Sequence, residues 1–509
     1  MSLNGRVYGA RQGASRIRKT LTISTLVLAI SVQLNPAQAV ESGSPAQSNT
    51  ATSGSQQDMV IEGTAAAAAS EDQDYAVKTT TAGTKMNLTP RDIPQSLSVI
   101  TRQRMQDQNL QSVGDVLNNT TGISTEVIDS ERVSYFSRGF YINNYTYDDI
   151  PTSVSDTWNF GDAAEDTAIY DRIEVVRGAT GLMTGTGNPA ASVNMVRKHA
   201  DSKEFTGDIS ASYGSWNKQR YVLDASGPLN QEGSVRGRVV AGYQDQDSWL
   251  DRYHKRKKFF YGVVDADLTD NTTVSLGYDY QENNTGNPTW GGLPTWYSDG
   301  ARTHYDRSTN TSANWTNYAT ESRKVFANVR HDFENGWTFR VNGTHGEQTF
   351  NDKLLYLMDF PDRATGEGPR GFGSKDRGTR KMDSVDTYAT GPFTLFGRQH
   401  QIVAGMSYSR QHNQTYSADG SIDSETLGQF DNGWDGSVSE PEWGDWYQNA
   451  DDVVRQKAGY FATRFSLADP LSLIGGARYT RWSTSGSSGN MSKNNITPYG
   501  GLVYDINDT

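Results

Sequence analysis

The chain contains no cysteine. No disulfide can staple it, and no thiolate can serve as a nucleophile or a soft metal ligand. Only seven histidines occur in 509 residues, scattered, with no pair at the spacing that sets two imidazoles on one face for a metal. There is no P-loop, no H-E-x-x-H and no Gly-x-Ser-x-Gly elbow. These absences argue against an enzyme: no catalytic residue, no metal ligand and no cofactor site is assigned. Apolar residues make up 35% of the chain and mean hydropathy is −0.68. Past residue 39 no apolar run reaches the roughly 20 residues a membrane helix needs. Basic residues are outnumbered by acidic ones, 47 to 59. That opposes nucleic acid as a partner, which asks for a basic face.

What is present begins with a leader. Arg6, Arg11, Arg16, Arg18 and Lys19 precede an apolar run from Leu21 to Leu34, and Ala37-Gln38-Ala39 follows as an A-x-A cleavage pattern. Residues 1–39 read as a secretory signal peptide. They hold five basic side chains and no acid, so the remainder carries −17 against −12 for the whole. The rest is rich in Gly (50), Tyr (26) and Trp (11). Export, low hydropathy and many aromatics suit a membrane β-barrel, in which apolar and polar residues alternate.

Residues 40–84 are small and polar, and are expected to be flexible. Within them Asp58-Met59-Val60-Ile61-Glu62-Gly63 is an acidic-apolar run suited to strand addition on a partner's sheet edge. Residues 85–200 are mixed. Asp92-Ile93-Pro94-Gln95-Ser96-Leu97-Ser98-Val99-Ile100 reads as a turn into a strand, and Thr101–Asn118 as one helix with a broad apolar face. Gly122-Ile123-Ser124, Ser137-Arg138-Gly139-Phe140 and Ile173-Glu174-Val175-Val176-Arg177-Gly178 follow. Gly178, Gly181, Gly185 and Gly187 crowd the turn after the last of these. The Gly185–Ala190 piece imitates a dinucleotide fingerprint, but the Ala191–Lys198 run behind it reads as a strand where that fingerprint needs a helix.

From about residue 204 the pattern changes to long alternating runs, such as FTGDISASY, SVRGRVVAGY, TVSLGYDY and GYFATRFSL. About twelve strands are counted, joined by turns that alternate short and long, as periplasmic turns and outside loops do in barrels. The long connections are placed near 246–256, 282–320, 351–380, 413–453 and 484–493.

The motifs DIPQSLSVI, TGIS, SRGF and IEVVRG, in this order and ahead of such strands, resemble the plug of TonB-dependent outer-membrane siderophore receptors. The resemblance implies an all-β transmembrane barrel of the 22-stranded type, with an N-terminal α/β plug filling its lumen. It implies that residues 204–509 are the N-terminal part of that barrel, since family members continue past Asp508-Thr509 and end on an aromatic residue. It makes Asp58, Met59, Val60, Ile61 and Glu62 the TonB box. TonB with its inner-membrane energising complex, a ferric siderophore and outer-membrane lipid become the implied partners, and the siderophore itself carries the iron. Asn287–Trp296, SRGF and LMTGTGNPAASVNMVRKHA look most like receptors for ferric coprogen and rhodotorulic acid, with ferric-pyoverdine receptors next. The coprogen-type pattern has a basic residue where this chain has Thr157. Pyoverdine-type receptors often carry an extra signalling domain, for which the stretch between Val40 and Asp58 is too short. A porin or a phage and bacteriocin receptor is the other class of reading.

Binding candidates are aromatic. Trp290 lies in a loop stiffened by Pro288 and Pro294, and rigid aromatics anchor ligands at little entropic cost. Phe140, Tyr141, Tyr145 and Trp158 join it, flanking plug turns that would face the vestibule, as does Trp296 in the same loop as Trp290; Arg138 is read as more structural than ligand-binding. A half barrel has two open edges, which lipid does not tolerate. Residues 1–509 alone are therefore expected to show no heat-modifiable migration when expressed in outer membranes; such migration on a gel would contradict the half-barrel reading.

Overall fold

The computed structural model describes residues 59–64, 75–153, 159–178 and 180–506. The leader, Asp58 and Trp158 lie outside these residues. Strand β1 (Met59–Thr64) falls inside the stretch expected to be flexible. Its backbone pairs antiparallel with β10 (Thr206–Tyr213), Met59 opposite Tyr213 and Thr64 opposite Asp208. The edge of β10 offers free N–H and C=O groups, and an extended segment satisfies them.

The plug is a small mixed sheet with short helices. Its elements are β2 (Ser96–Thr101), α1 (Arg102–Asp107), α2 (Val113–Asn118), β3 (Ser124–Val127), β4 (Val133–Ser137), β5 (Phe140–Tyr141), β6 (Asn144–Tyr147), β7 (Ile150–Ser153), β8 (Tyr170–Arg177), α3 (Gly181–Thr184) and β9 (Ala191–Arg197). One sheet runs β2-β8-β9-β6-β7 and a second β3-β4-β5. The single helix expected over Thr101–Asn118 is two. Asn109 takes φ +51, which ends α1, and Ser112 with Asp115 forms a capping box that starts α2 anew. The Ala191–Lys198 run is a strand, as its β-branched residues require, so the glycine turn before it has no nucleotide-binding helix behind it.

Eleven further strands follow β10: β11 (Gln219–Pro228), β12 (Val235–Asp247), β13 (His254–Thr269), β14 (Thr272–Gly286), β15 (Asn317–Asp332), β16 (Thr338–Met358), β17 (Arg370–Leu395), β18 (Arg398–Ile422), β19 (Tyr447–Ala468), β20 (Leu471–Gly486) and β21 (Met491–Tyr504). Each pairs antiparallel with the next, in unbroken order. Turns such as 269–272, 395–398 and 468–471 mark one end, and the 286–317 and 422–447 connections mark the other. A turn of helix, α4 (Ser424–Leu427), sits in the last of these.

The upper strands are far longer than the ten residues expected. β17 has 26 residues, which at about 3.3 Å per residue spans about 85 Å, against a hydrocarbon core of about 30 Å. Much of 351–380 and 413–453, expected as loop, is ladder. Above the lipid both faces of a strand are polar, as Arg377 and Lys381 on one face of β17 and Asp376 and Arg380 on the other illustrate, so alternation fades while the main-chain pairing continues.

Inside, burial alternates as a barrel wall demands: Phe259, Tyr261 and Val263 are buried while Phe260 and Val264 are exposed. The inner wall repeats one device. Phe259, Phe326, Phe350 and Tyr460 each stand directly across a strand pair from a glycine: Gly242, Gly277, Gly378 and Gly405. A Cβ at any of the four would overlap the facing ring. The aromatic covers the bare backbone and lies flat against the wall, leaving room for the plug. Gly277→Ala is expected to lower stability by about 1–3 kcal/mol through overpacking against Phe326, measured by denaturant unfolding in detergent; an unchanged midpoint would contradict this packing.

Candidate functional site

The plug meets the barrel through an acidic turn. Gly161 takes φ +89 and opens a 3-10 turn at Asp162–Ala164, followed by Glu165 and Asp166. Each acid finds a cation on a different barrel strand. Asp162 accepts from Arg380 on β17 at 2.9 Å, Glu165 from Lys324 on β15 at 2.5 Å, and Asp166 from Arg220 on β11 at 2.7 Å. Tyr147 and Tyr170 donate their hydroxyls to Glu165 as well. Burial holds the Glu165 carboxyl above its ordinary value despite Lys324. Burial also pushes Asp166 upward, but the charge and hydrogen bonds of Arg220 outweigh it and keep that carboxyl low.

The hub supports a plug apex at the long-loop end. Phe160 packs edge-on against Phe350 at 5.0 Å and lies under the Arg380 guanidinium at 4.2 Å. Tyr318 donates to the Asn159 carbonyl, and Asn159 donates to that of Glu131. Glu131 accepts from Lys255, Tyr253 and Thr285 on the wall. Ser130 and Thr289 exchange hydrogen bonds at 3.0 Å each, which ties the apex to the 286–317 loop.

Trp290 is the next residue of that loop. It is half-buried against the Phe160, Tyr318, Phe350 and Leu354 cluster. Its ring lies 5.7 Å from both Tyr356 and Phe372, forming an aromatic floor above the apex. The loop is held from behind. Arg252 donates to the carbonyls of Trp434, Asn310 and Ser312, and Trp434 donates to Ser312. A rigid aromatic surface of this kind can bind a bulky, partly apolar ligand.

The other sequence candidates separate. Trp296 is in the same loop and 45% exposed, but makes no ring contact with Trp290 among the described residues. Tyr145, expected to face the vestibule, is instead 3% exposed in the plug core on β6. Burial drives its phenol well above the ordinary value. Every side chain of β6 is covered, and Tyr145 and Tyr147 lie in the plug core cluster with Tyr135, Ile142 and Val193. Tyr141 packs against Phe136, and its carbonyl accepts from Asn188. Phe140 is exposed on the same short strand. Arg138 and Gly139 take φ +54 and +82 as the two-residue turn between β4 and β5. The Arg138 guanidinium lies over Gly178, where a Cβ would collide with it. Among the described residues, the structure thus brings Trp290 alone of these candidates to the apex. Sequence reading missed Tyr356, Phe372, Phe160 and Glu131. The first two lay in a stretch that resembled a loop, and the others carried no local motif. No group of three or more His, Cys, Asp or Glu is arranged to hold a metal among the described residues.

Comparison with known proteins agrees with this architecture. Residues 89–192 match the TonB-dependent Receptor Plug Domain family, and residues 261–509 match the TonB dependent receptor-like, beta-barrel family. The ferripyoverdine receptor of Pseudomonas aeruginosa is 39% identical over 441 residues, which cover 86% of this chain and 54% of that protein. The ferric-pyoverdine BN7/BN8 receptor of Pseudomonas putida is 36% identical over 454 residues, 86% of this chain and 55% of that one. The crystal structure of the outer-membrane ferripyoverdine receptor of Pseudomonas aeruginosa, bound to ferripyoverdine, superposes with a TM-score of 0.81 at 37% identity. It is matched over 86% of this chain and 58% of that one. The chain spans about half the length of the curated relatives it matches. These relatives are pyoverdine receptors, which reverses the order the motifs had placed on coprogen and pyoverdine types. Plug, wall and the hub between them place the chain in the family of TonB-dependent outer-membrane receptors.

Proposed function

We propose that this chain belongs to a receptor that binds a ferric siderophore of the pyoverdine type outside the cell and imports it with energy delivered through TonB. The observation that carries the reading is the aromatic floor of Trp290, Tyr356 and Phe372 standing directly on the plug apex. A ligand there touches loop and plug at once, so binding outside can be felt by the plug. The ferripyoverdine receptors named above support the ligand class, and the coprogen-type reading is the weaker one. The iron is cargo held by the siderophore. Lumen filling by the plug disfavours a passive porin, since the wall is bonded to the plug where a pore would run.

TonB engagement rests on Met59, Val60, Ile61 and Glu62, with Asp58 ahead of them. The strand that residues 59–64 form along β10 supports the reading that this segment pairs through its main chain. Trp158 and Trp296 are kept as outlying ligand contacts.

Two experiments in a full-length version of the receptor test this. Trp290→Ala is expected to weaken binding of ferripyoverdine to outer membranes by about tenfold, or ~1.4 kcal/mol; unchanged affinity would remove Trp290 from the site. Ile61→Pro takes away a main-chain donor. It is expected to abolish uptake of iron-labelled siderophore while leaving binding intact, and uptake that survived would refute TonB-driven import through this segment.

A further inference from the structure

A cavity of about 530 Å³ opens at the short-turn end, between the plug's amino-terminal run and the inner wall. Six cations line it. Lys78 and Lys85 precede β2, Arg102 is on α1, Arg172 on β8, Arg330 on β15 and Arg340 on β16. Asp171 is the one acid among the lining residues. Three of the cations have carboxylate partners: Lys85 with Asp386, Arg172 with Asp171 and Glu174, and Arg330 with Asp332.

The other three form no ion pair with a carboxylate among the described residues. Arg102 donates to the carbonyls of Thr167 and Tyr170 and leaves its Nε buried without an acceptor. Burial lowers that guanidinium to about 10. Arg340 stands directly across the strand pair from Arg330, and like charges so placed repel. Its neighbour on the other side is Tyr388, whose neutral hydroxyl accepts a hydrogen bond from it, and Asp332 attracts it without forming an ion pair. Lys78 is exposed at the mouth. A cleft walled by one sign of charge focuses its field on whatever enters.

We propose that this cavity binds a multivalent oxyanion, a small molecule bearing phosphates or several carboxylates, which bridges the plug to the barrel wall. Guanidinium forks match such groups two hydrogen bonds at a time. The volume falls within the roughly 300–1,000 Å³ of small-molecule sites. The bridge has a mechanical consequence. Lys78 lies on the run that follows β1, so a pull on the amino-terminal segment draws one ligand contact out of the site. A bound anion therefore resists plug movement. The anion has two sources: a free oxyanion on the periplasmic side, or carboxylates of the cargo in transit, the second resting on the import reading above.

The test is titration of a full-length version of the receptor in detergent with inorganic pyrophosphate at low ionic strength, followed by calorimetry and thermal unfolding. Saturable binding is expected, with a raised melting midpoint and steep weakening in salt. Arg340→Gln and Lys78→Gln are each expected to weaken it about tenfold. Arg323→Gln, whose guanidinium pairs with Glu321 on the outer face, should leave it unchanged. Without pyrophosphate Arg340→Gln should melt no lower than the parent, because the amide can still donate to Tyr388 while repulsion from Arg330 is relieved; loss of binding is then not loss of fold. Displacement of pyrophosphate by a carboxylate-bearing ferric siderophore, but not by a neutral ferric trihydroxamate, assigns the anion to cargo. Displacement by neither assigns it to a free oxyanion. Displacement by both would put pyrophosphate on the ligand floor and overturn the site, as would absent saturation or an Arg340→Gln variant with parental affinity.

Discussion

The plug stays in the barrel because three consecutive acids of one turn are paired with three cations on three different strands. Asp162, Glu165 and Asp166 meet Arg380, Lys324 and Arg220 in a lumen shielded from water. Buried pairs of this kind add little net stability against an apolar alternative, because desolvation offsets the attraction. What they impose is placement. A shift of the turn by one residue would strand several charges without partners, which is far more costly than any apolar slip. The apex, its contact with the 286–317 loop and the position of Trp290 all follow from where this turn is held.

The wall answers a second demand, that the lumen hold a folded domain without gaps. Glycines opposite Phe259, Phe326, Phe350 and Tyr460 let those rings lie against the backbone, and the plug packs on their faces. The ladder then continues well beyond the lipid and carries Tyr356 and Phe372 to the height of the loop. The ligand floor is thus built partly on regular strands, which hold side chains more rigidly than loops do.

Reading the sequence worked where a local rule applied. Alternation located the strands through the lipid, and the plug motifs appeared in order. It failed where local rules stop. The single helix over Thr101–Asn118 split at Asn109, since a side chain that tolerates positive φ outweighed the apolar periodicity. The upper ladder was taken for loops, because strands polar on both faces carry no alternation. Tyr145 reads as facing the vestibule because its neighbours are turn-like, yet it is sealed in the plug core. Of the named aromatics among the described residues only Trp290 reaches the apex, and its partners lie 66 and 82 residues further along the chain.

Taken by itself, the order of residues determined the class of molecule: a chain without cysteine, with no apolar run past residue 39 long enough for a membrane helix, and with a plug ahead of barrel strands. Those properties are local or compositional, and periodicity and motif order express them directly. Only the tertiary structure decided which charges meet, which aromatics share a floor and where unpaired cations gather. Asp162 and Arg380 stand 218 positions apart, and Lys78 and Arg340 come from different domains. Pairings at such separations are set by barrel register and plug seating, and no window along the chain contains both partners.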